Sequence, residues 1–459
     1  MILEGNSEVS KIFCGSSEVS KVYLGNTEVF GGGEQPEEPE ILYYLYFNQK
    51  TRRVVMTRGE DCEDWISATM DVGNATTPGT GAFYDTGNIM SKWPFKDIKP
   101  CLVQNGTLIG YLNPNNYAEF ENGTPADITS GTYDVMVQLP RIYYKLESDW
   151  DGTCSITGAR NAHVGIYISN KPQTGYVCNS HMKNGVEYKY IYVSAYENQV
   201  SNGNLYVCSG KTPSSDVSHR VFLNTIGNYR NSQYTTFNYH ISTYLFILEM
   251  LLFGERRNDS IFGSGLVGTV NDILNTGTLN TSGMFFGISS LVTPSPMTGH
   301  KIFGLENLMG NTKTYIDGIL FDSQGQFLVI DPSNPTSTLS FLGTNYNGYT
   351  FSLSYTNFEG NTSLCAVDNA YGFLPVSSVS ASTGKQYYET VVKIAPPSAY
   401  QNITANPDQP SMVFYYGGYY PAYSGFVIRA DVEYNESDTH ISERVVCYPT
   451  SQIDTSQSN

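Results

Sequence analysis

Cysteines, histidines, a few carboxylates and a dense group of tyrosines are the side chains of this 459-residue sequence whose types could do chemistry. Cys14, Cys62, Cys101, Cys154, Cys178, Cys208, Cys365 and Cys447 are scattered without a C-x-x-C pair, which removes zinc-ribbon and thioredoxin-like chemistry. An even number permits disulfides, but in a chain this long isolated half-buried thiols kept reduced are expected. His163, His181, His219, His240, His300 and His440 stand outside metal-ligand spacing of one another and of any cysteine. Each is therefore expected at the surface or packed in a strand. No G-x-S-x-G elbow, P-loop or H-E-x-x-H motif is present, so serine hydrolysis, phosphoryl transfer and zinc proteolysis lack a nucleus. Asp317, Asp322 and Asp331 could in principle cut glycans as paired carboxylates, yet each is expected at a turn, where Asp has a structural reason to be. No cofactor is expected. No acidic cluster has a loop spacing that assigns calcium, so the sequence leaves a metal site undecided.

The tyrosines point elsewhere. Tyr415, Tyr416, Tyr419, Tyr420, Tyr423, Phe426 and Tyr434 crowd a short stretch rich in glycine. A Tyr-rich hairpin can stack its rings on apolar patches while its hydroxyls hydrogen-bond, which suits a carbohydrate or protein surface. The competing reading for each ring is sheet packing, because alternation along a strand must send some inward. The stretch between Tyr415 and Glu443 is the candidate binding face, and no enzymatic activity is expected.

Composition bounds the partners. The formal net charge of −17 argues against binding a phosphate backbone or an anionic membrane. Charged residues are only 15% of the chain while Tyr numbers 36 and Gly 43, so polarity comes mostly from amides and hydroxyls, as suits turn-rich β-structure. Met1–Gly5 lacks a basic and an apolar signal region, so no secretory signal is expected. The longest apolar run, Tyr244 to Phe253, is interrupted by Glu249 and falls short of the ~20 residues a membrane span needs.

The elements that position these residues begin with a repeat. Gly5-Asn6-Ser7-Glu8-Val9, Gly15-Ser16-Ser17-Glu18-Val19 and Gly25-Asn26-Thr27-Glu28-Val29 recur at a period of ten. Each repeat reads as one short strand plus one tight turn, with Val9, Ile12, Phe13, Val19, Val22, Tyr23 and Val29 as the apolar positions. So small a meander cannot bury a core alone, so residues 1–30 are expected to dock on another protein or to intertwine in a homo-oligomer. Residues 31–40 are a Gly, Pro and Glu linker. Residues 41–95 read as a β-rich connecting region that opens with a hairpin, Leu42–Phe47 against Arg52–Met56.

Residues 96–459 read as the main domain. Strands are expected over Lys99–Thr107, Gly110–Asn116, Asp134–Lys145 and Val186–Val193, with Asn105-Gly106 as a hairpin turn. Apolar residues at three-and-four spacing predict a helix over Tyr239–Phe253, buried on most sides and capped by Asn238 or Ser242. Its lone charge, Glu249, is expected to reach toward Arg256 or Arg257 or to meet a backbone donor. A second helix is expected near Ser214–Asn228, where Val221, Phe222 and Thr225 share spacing. Gly304–Ile319 reads as a dense packing unit of turns and short apolar runs, with Glu306 and Asp317 as anchoring residues.

Three blocks in order carry a resemblance. "P-C-L-V-x-N-G…Y-L-N-P-N-N…D-V-M-V-x-L-P-x-x-Y-Y-K" from Pro100 to Lys145, the helix exit Gly254–Gly265, and "G-x-E-N-x-x-G-N…D-G" from Gly304 to Gly318 together resemble bacteriophage fibre and tail-tip proteins with a C-type-lectin-like domain. That domain is related to formylglycine-generating enzymes and to the variable proteins of diversity-generating retroelements. The N-terminal repeats are similar to those that begin virion proteins of phages of gut bacteria. The resemblance implies an α+β, mostly β fold: a C-type-lectin-like domain with one or two helices and insertions, preceded by a β-repeat attachment module. It also implies a virion location, head or tail fibre. The implied partners are other virion proteins through the repeats, further copies of the chain with a trimer favoured, and a host surface glycan or protein. No nucleic acid and no membrane insertion are expected. The alternative is a purely structural head or tail decoration protein, and behind it a glycan depolymerase. The enzymes of this fold use neighbouring cysteines, and Cys365 and Cys447 do not match that pattern, so catalysis does not carry over.

Overall fold

The computed structural model describes residues 12–14, 17–19, 21–24, 27–31, 41–48, 54–58, 69–71, 82–85, 90–148, 163–214, 217–253, 273–287, 299–308, 310–321, 327–333, 348–351, 360–362, 364–368, 372–377, 391–394, 412–416, 427–432 and 441–450. The chain divides into two units, Met1–Ile41 and Leu42–Asn459. In the first, Ile12–Cys14 pairs antiparallel with Ser17–Val19, and Lys21–Leu24 with Thr27–Gly31. This corrects the expectation of one strand per repeat: the Val19–Tyr23 run is split between two separate two-stranded sheets. Cys14 stands opposite Ser17 and Leu24 opposite Thr27, so each half-strand pairs with its own neighbour.

The second unit is mostly β-sheet, with two α-helices among the described residues. Its centre is a seven-stranded sheet of β1 (Lys99–Gln104), β2 (Thr107–Asn113), β3 (Asn116–Phe120), β4 (Asp134–Pro140), β5 (Tyr190–Ser194), β6 (Tyr234–Thr236) and β7 (Val445–Cys447). The order across the sheet is β3-β2-β1-β4-β5-β7-β6, antiparallel throughout. Asn105 and Gly106, at φ 54° and 80°, make the left-handed turn that the dipeptide predicts between β1 and β2. All of β4 is buried, as a strand covered on both faces must be, whereas β2 alternates with solvent. Cys101, Val103, Met136, Tyr192, Val445 and Cys447 share one core cluster, drawn from the four strands β1, β4, β5 and β7.

Helix α1 spans His219–Gly227 and α2 spans Tyr239–Phe253. In α1 the buried stripe is Phe222, Leu223 and Ile226, whereas Val221 is 46% exposed, so the stripe lies one position on from the expected one. The α2 helix has the predicted limits, and every residue from Tyr239 to Leu252 is buried. Asn238 caps it: its Oδ1 accepts from the Ile241 amide at 3.1 Å. Tyr244 donates to the Pro140 carbonyl at 2.6 Å, which pins α2 to the end of β4. Glu249 is buried at 2% exposure and so does not reach outward, while Arg256 and Arg257 lie outside the described residues.

Three larger sheets and three two-stranded ones make up the rest of the sheet structure among the described residues. Leu42–Asn48 pairs with Val54–Arg58, as its hairpin pattern predicts, and on its other edge with His163–Ser169. A five-stranded sheet runs Leu305–Glu306, Lys301–Ile302, Phe286–Gly287, Ala82–Asp85, Thr69–Asp71. An eight-stranded sheet has Lys313–Phe321 between Phe327–Ile330 and Met412–Tyr416, and Ile441–Ser442 joins the same strand in parallel. The expected Val186–Val193 strand is two pieces, Val186–Glu187 and β5, because the Tyr188 amide turns aside to the His181 carbonyl.

Candidate functional site

The Tyr-rich stretch enters the described structure at its two strands. Met412–Tyr416 pairs antiparallel with Lys313–Phe321, Tyr415 opposite Tyr315 and Tyr416 opposite Thr314. On its far side lies Val427–Val432, with Tyr415 opposite Arg429 and Tyr416 opposite Ile428. Tyr419, Tyr420, Tyr423, Phe426 and Tyr434 lie outside the described residues. Ser442 and Glu443, which end the candidate binding face, are buried rather than presented, because their segment pairs beside Lys313–Phe321. Of the attachment residues, Ile12 and Phe13 lie in the first strand of the N-terminal unit, Val19 in the second, Val22 and Tyr23 in the third and Val29 in the fourth. Val9 lies outside the described residues.

The strand that receives the aromatic hairpin is held by a bulge. Its pairing with Met412–Tyr416 shifts between Ile316, opposite Phe414, and Leu320, opposite Val413. Asp317 and Gly318 stand in the shift, so the Asp-Gly pair makes a strand irregularity where a chain-reversing turn was expected. Gly318 has φ +76°, and a methyl there would approach Ile330 Cγ2 to 2.8 Å, so the position needs glycine. The Asp317 carboxylate, fully buried, accepts from Thr236 Oγ1 at 2.7 Å and from the Gly318 amide at 2.8 Å. Asp331 is at a turn as expected, its Oδ1 accepting from the Ser333 amide at 3.0 Å.

Beside this strand lies a cluster of buried charges. Glu197 accepts from the Thr312 amide at 3.1 Å, from Thr312 Oγ1 and from Asn311 Nδ2. Burial lifts its carboxyl to about 7, against the lowering pull of Arg444 and of these donors. Arg444, fully buried, donates to the Ser194 carbonyl at 3.1 Å and to the Glu306 carbonyl. The Glu306 side chain accepts from the Thr278 and Leu279 amides at 3.1 and 3.2 Å. Lys301 donates to the Leu279 carbonyl at 3.0 Å and sits 3.7 Å from the centre of the Tyr117 ring. Burial raises Glu306 and lowers Lys301, and each charge partly opposes the other's shift. Burial likewise raises Glu443 well above the carboxylate range.

A second anchor ties β4 to β6. The Asp134 carboxylate accepts from Arg230 Nε at 2.8 Å, from Tyr229 at 2.5 Å and from Tyr234 at 2.5 Å. Burial pushes its carboxyl up while Arg230 pulls it down. His181, His240 and His300 are all buried, which corrects their expected surface or strand placement: His240 lies inside α2. Burial lowers them to about 3, 4 and 3. His181 Nε2 donates to the Leu139 carbonyl at 3.1 Å and His240 Nε2 to the Ile330 carbonyl at 2.8 Å. Cys101, Cys178, Cys208 and Cys447 are free thiols, fully buried rather than half-buried. Among the described residues, no group of three or more His, Cys, Asp or Glu side chains is placed to hold a metal ion.

Asp134, Glu197, Glu306, Asp317, His181 and His240 each bond to a group distant in the sequence. Sequence reading missed Glu197, Asp134 and Arg444. The available signal was a charge at the edge of an apolar run, as in Ala195-Tyr196-Glu197 or Arg444-Val445-Val446. No protein-family model matches the chain, and no curated protein is similar to it.

Proposed function

We propose that this chain is a structural fibre component of a bacteriophage virion whose C-type-lectin-like domain adheres to the host cell surface, glycan or protein, through the Tyr-rich hairpin. The repeat unit docks on other virion proteins or joins copies of the chain, with a trimer favoured. The observation that supports the reading best is the antiparallel pairing of Met412–Tyr416 on Lys313–Phe321. An aromatic hairpin rooted on a strand anchored by Asp317 has its two strands positioned before any binding. The N-terminal hairpins add support, since isolated two-stranded sheets are marginal and gain from a partner.

The test is retention on host envelope. Wild-type protein is expected to bind, and replacing Tyr419 and Tyr423 with alanine to abolish binding. Absence of adhesion favours a purely structural decoration role, and released oligosaccharide favours a depolymerase. For the repeats, light scattering is expected to show an oligomer that requires residues 1–30. A strict monomer without affinity for particles stripped of this protein overturns the attachment part.

A further inference from the structure

We propose that a cleft of about 440 Å³ between the β2–β3 hairpin and residues 282–285 binds one acidic sugar ring, such as a hexuronate. The volume falls within the range of small-ligand sites. Its floor is apolar and stiff. Phe95, Ile98, Met284 and Phe285 line it and are buried. Behind them Phe303 stacks on Phe95 at 6.0 Å and meets Phe285 edge-on at 5.4 Å, so the floor is formed before any ligand arrives.

The rim is polar and specific in kind. Lys96 stands exposed on it, with Lys99, Asn115, Glu121 and Ser282. Lys99 is held in place, 3.3 Å from the Glu121 carboxylate and 4.7 Å from the centre of the Tyr111 ring. Glu121 is taken up by Lys99, which leaves the exposed Lys96 ammonium as the one lining charge without an opposite partner in the lining. This arrangement favours an anion at the Lys96 end. Glu121 can only accept hydrogen bonds and Asn115 can do both, so the ligand must also bring hydroxyl donors. A purely apolar acid would leave those groups unmatched, and a neutral sugar would leave Lys96 unused. A carboxylated pyranose meets both demands, with its C–H face on the phenylalanine and methionine floor. The site is separate from the Tyr-rich hairpin, and it rests on the host-surface reading only for the source of the sugar.

The test is ligand-observed NMR and calorimetry of the full chain with free glucuronate, and with glucose as the neutral control. Saturable glucuronate binding is expected, with glucose about fivefold weaker and Lys96→Glu weakening glucuronate about tenfold. Lys96 is exposed, so the variant should fold, and circular dichroism checks that it does. Asn115→Ala, a second variant, is expected to weaken both sugars. Absence of glucuronate binding, or equal binding by Lys96→Glu, overturns the proposal. So does loss of glucuronate binding on replacing Tyr419 with alanine, which would place the sugar at the hairpin. Glucuronate failure with host adhesion intact removes only this proposal, whereas glucuronate binding without host adhesion removes only the adhesion reading.

Discussion

Thr236 donates its hydroxyl to the buried Asp317 carboxylate at 2.7 Å, joining β6 of the central sheet to the strand that receives the aromatic hairpin. The Phe237 carbonyl accepts from the Asp317 amide beside it at 2.9 Å, so backbone and side chain make the same link. Two sheets are thereby locked where the Lys313–Phe321 strand bulges.

Replacing Asp317 with alanine should leave the Thr236 hydroxyl and the Gly318 amide buried without their acceptor. The expected loss is about 2–4 kcal/mol of unfolding free energy, at about 1–3 kcal/mol per orphaned group. Urea denaturation measures it. Gly318→Ala should also destabilise, by about 1–3 kcal/mol, because a non-glycine residue is strained at this φ and its methyl meets Ile330. Unchanged midpoints in both variants would remove the lock from the account.

Asp134 gathers Arg230, Tyr229 and Tyr234 on one carboxylate. Asp134→Ala should cost about 3–5 kcal/mol, the range for breaking a buried ion pair by removing one partner. Arg230→Gln should cost less, since Arg230 is partly exposed and both tyrosines keep their acceptor. Thermal unfolding of the two variants, compared at one pH, tests the order.

Glu197 sets a pH dependence. Its folded carboxyl is raised to about 7 from 4.5, so the folded state binds the extra proton between those values. Its contribution is present at low pH and is lost as pH rises through that window, at up to about 1.4 kcal/mol per pH unit. The stability advantage of wild type over Glu197→Gln should therefore shrink from pH 4.5 to 7. A constant difference across this range would show that the residue does not titrate there.

The buried histidines act in the opposite sense. His181 is lowered to about 3 from 6.5, so the unfolded state binds the extra proton between these values and acid destabilises the fold. His181→Gln, whose amide can still donate to the Leu139 carbonyl, should flatten the acid limb of the stability curve by about 1.4 kcal/mol per pH unit. Proton uptake on unfolding, measured by calorimetry in two buffers, should fall by about one proton in this window. Unaltered uptake would show that another group carries the acid limb.

Local chemistry was legible in the sequence by itself. The three-and-four spacing from Tyr239 to Phe253 set both ends of α2, and Asn238 marked its cap. Asn105-Gly106 announced its hairpin, and Gly-Ser and Gly-Asn dipeptides announced the N-terminal ones, because each feature depends only on neighbouring residues.

Tertiary structure alone decided what those elements are pinned to. The Arg444 guanidinium reaches Ser194 across 250 residues and Glu306 across 138, and Glu197 meets Thr312 across 115. No periodicity encodes such pairings. A lone charge in an apolar run looks like a strand end or a turn until the fold buries it, and only then must it find a partner. Asp317-Gly318 shows the same limit, since the dipeptide that makes a turn when isolated makes a bulge once strands pair on both of its sides.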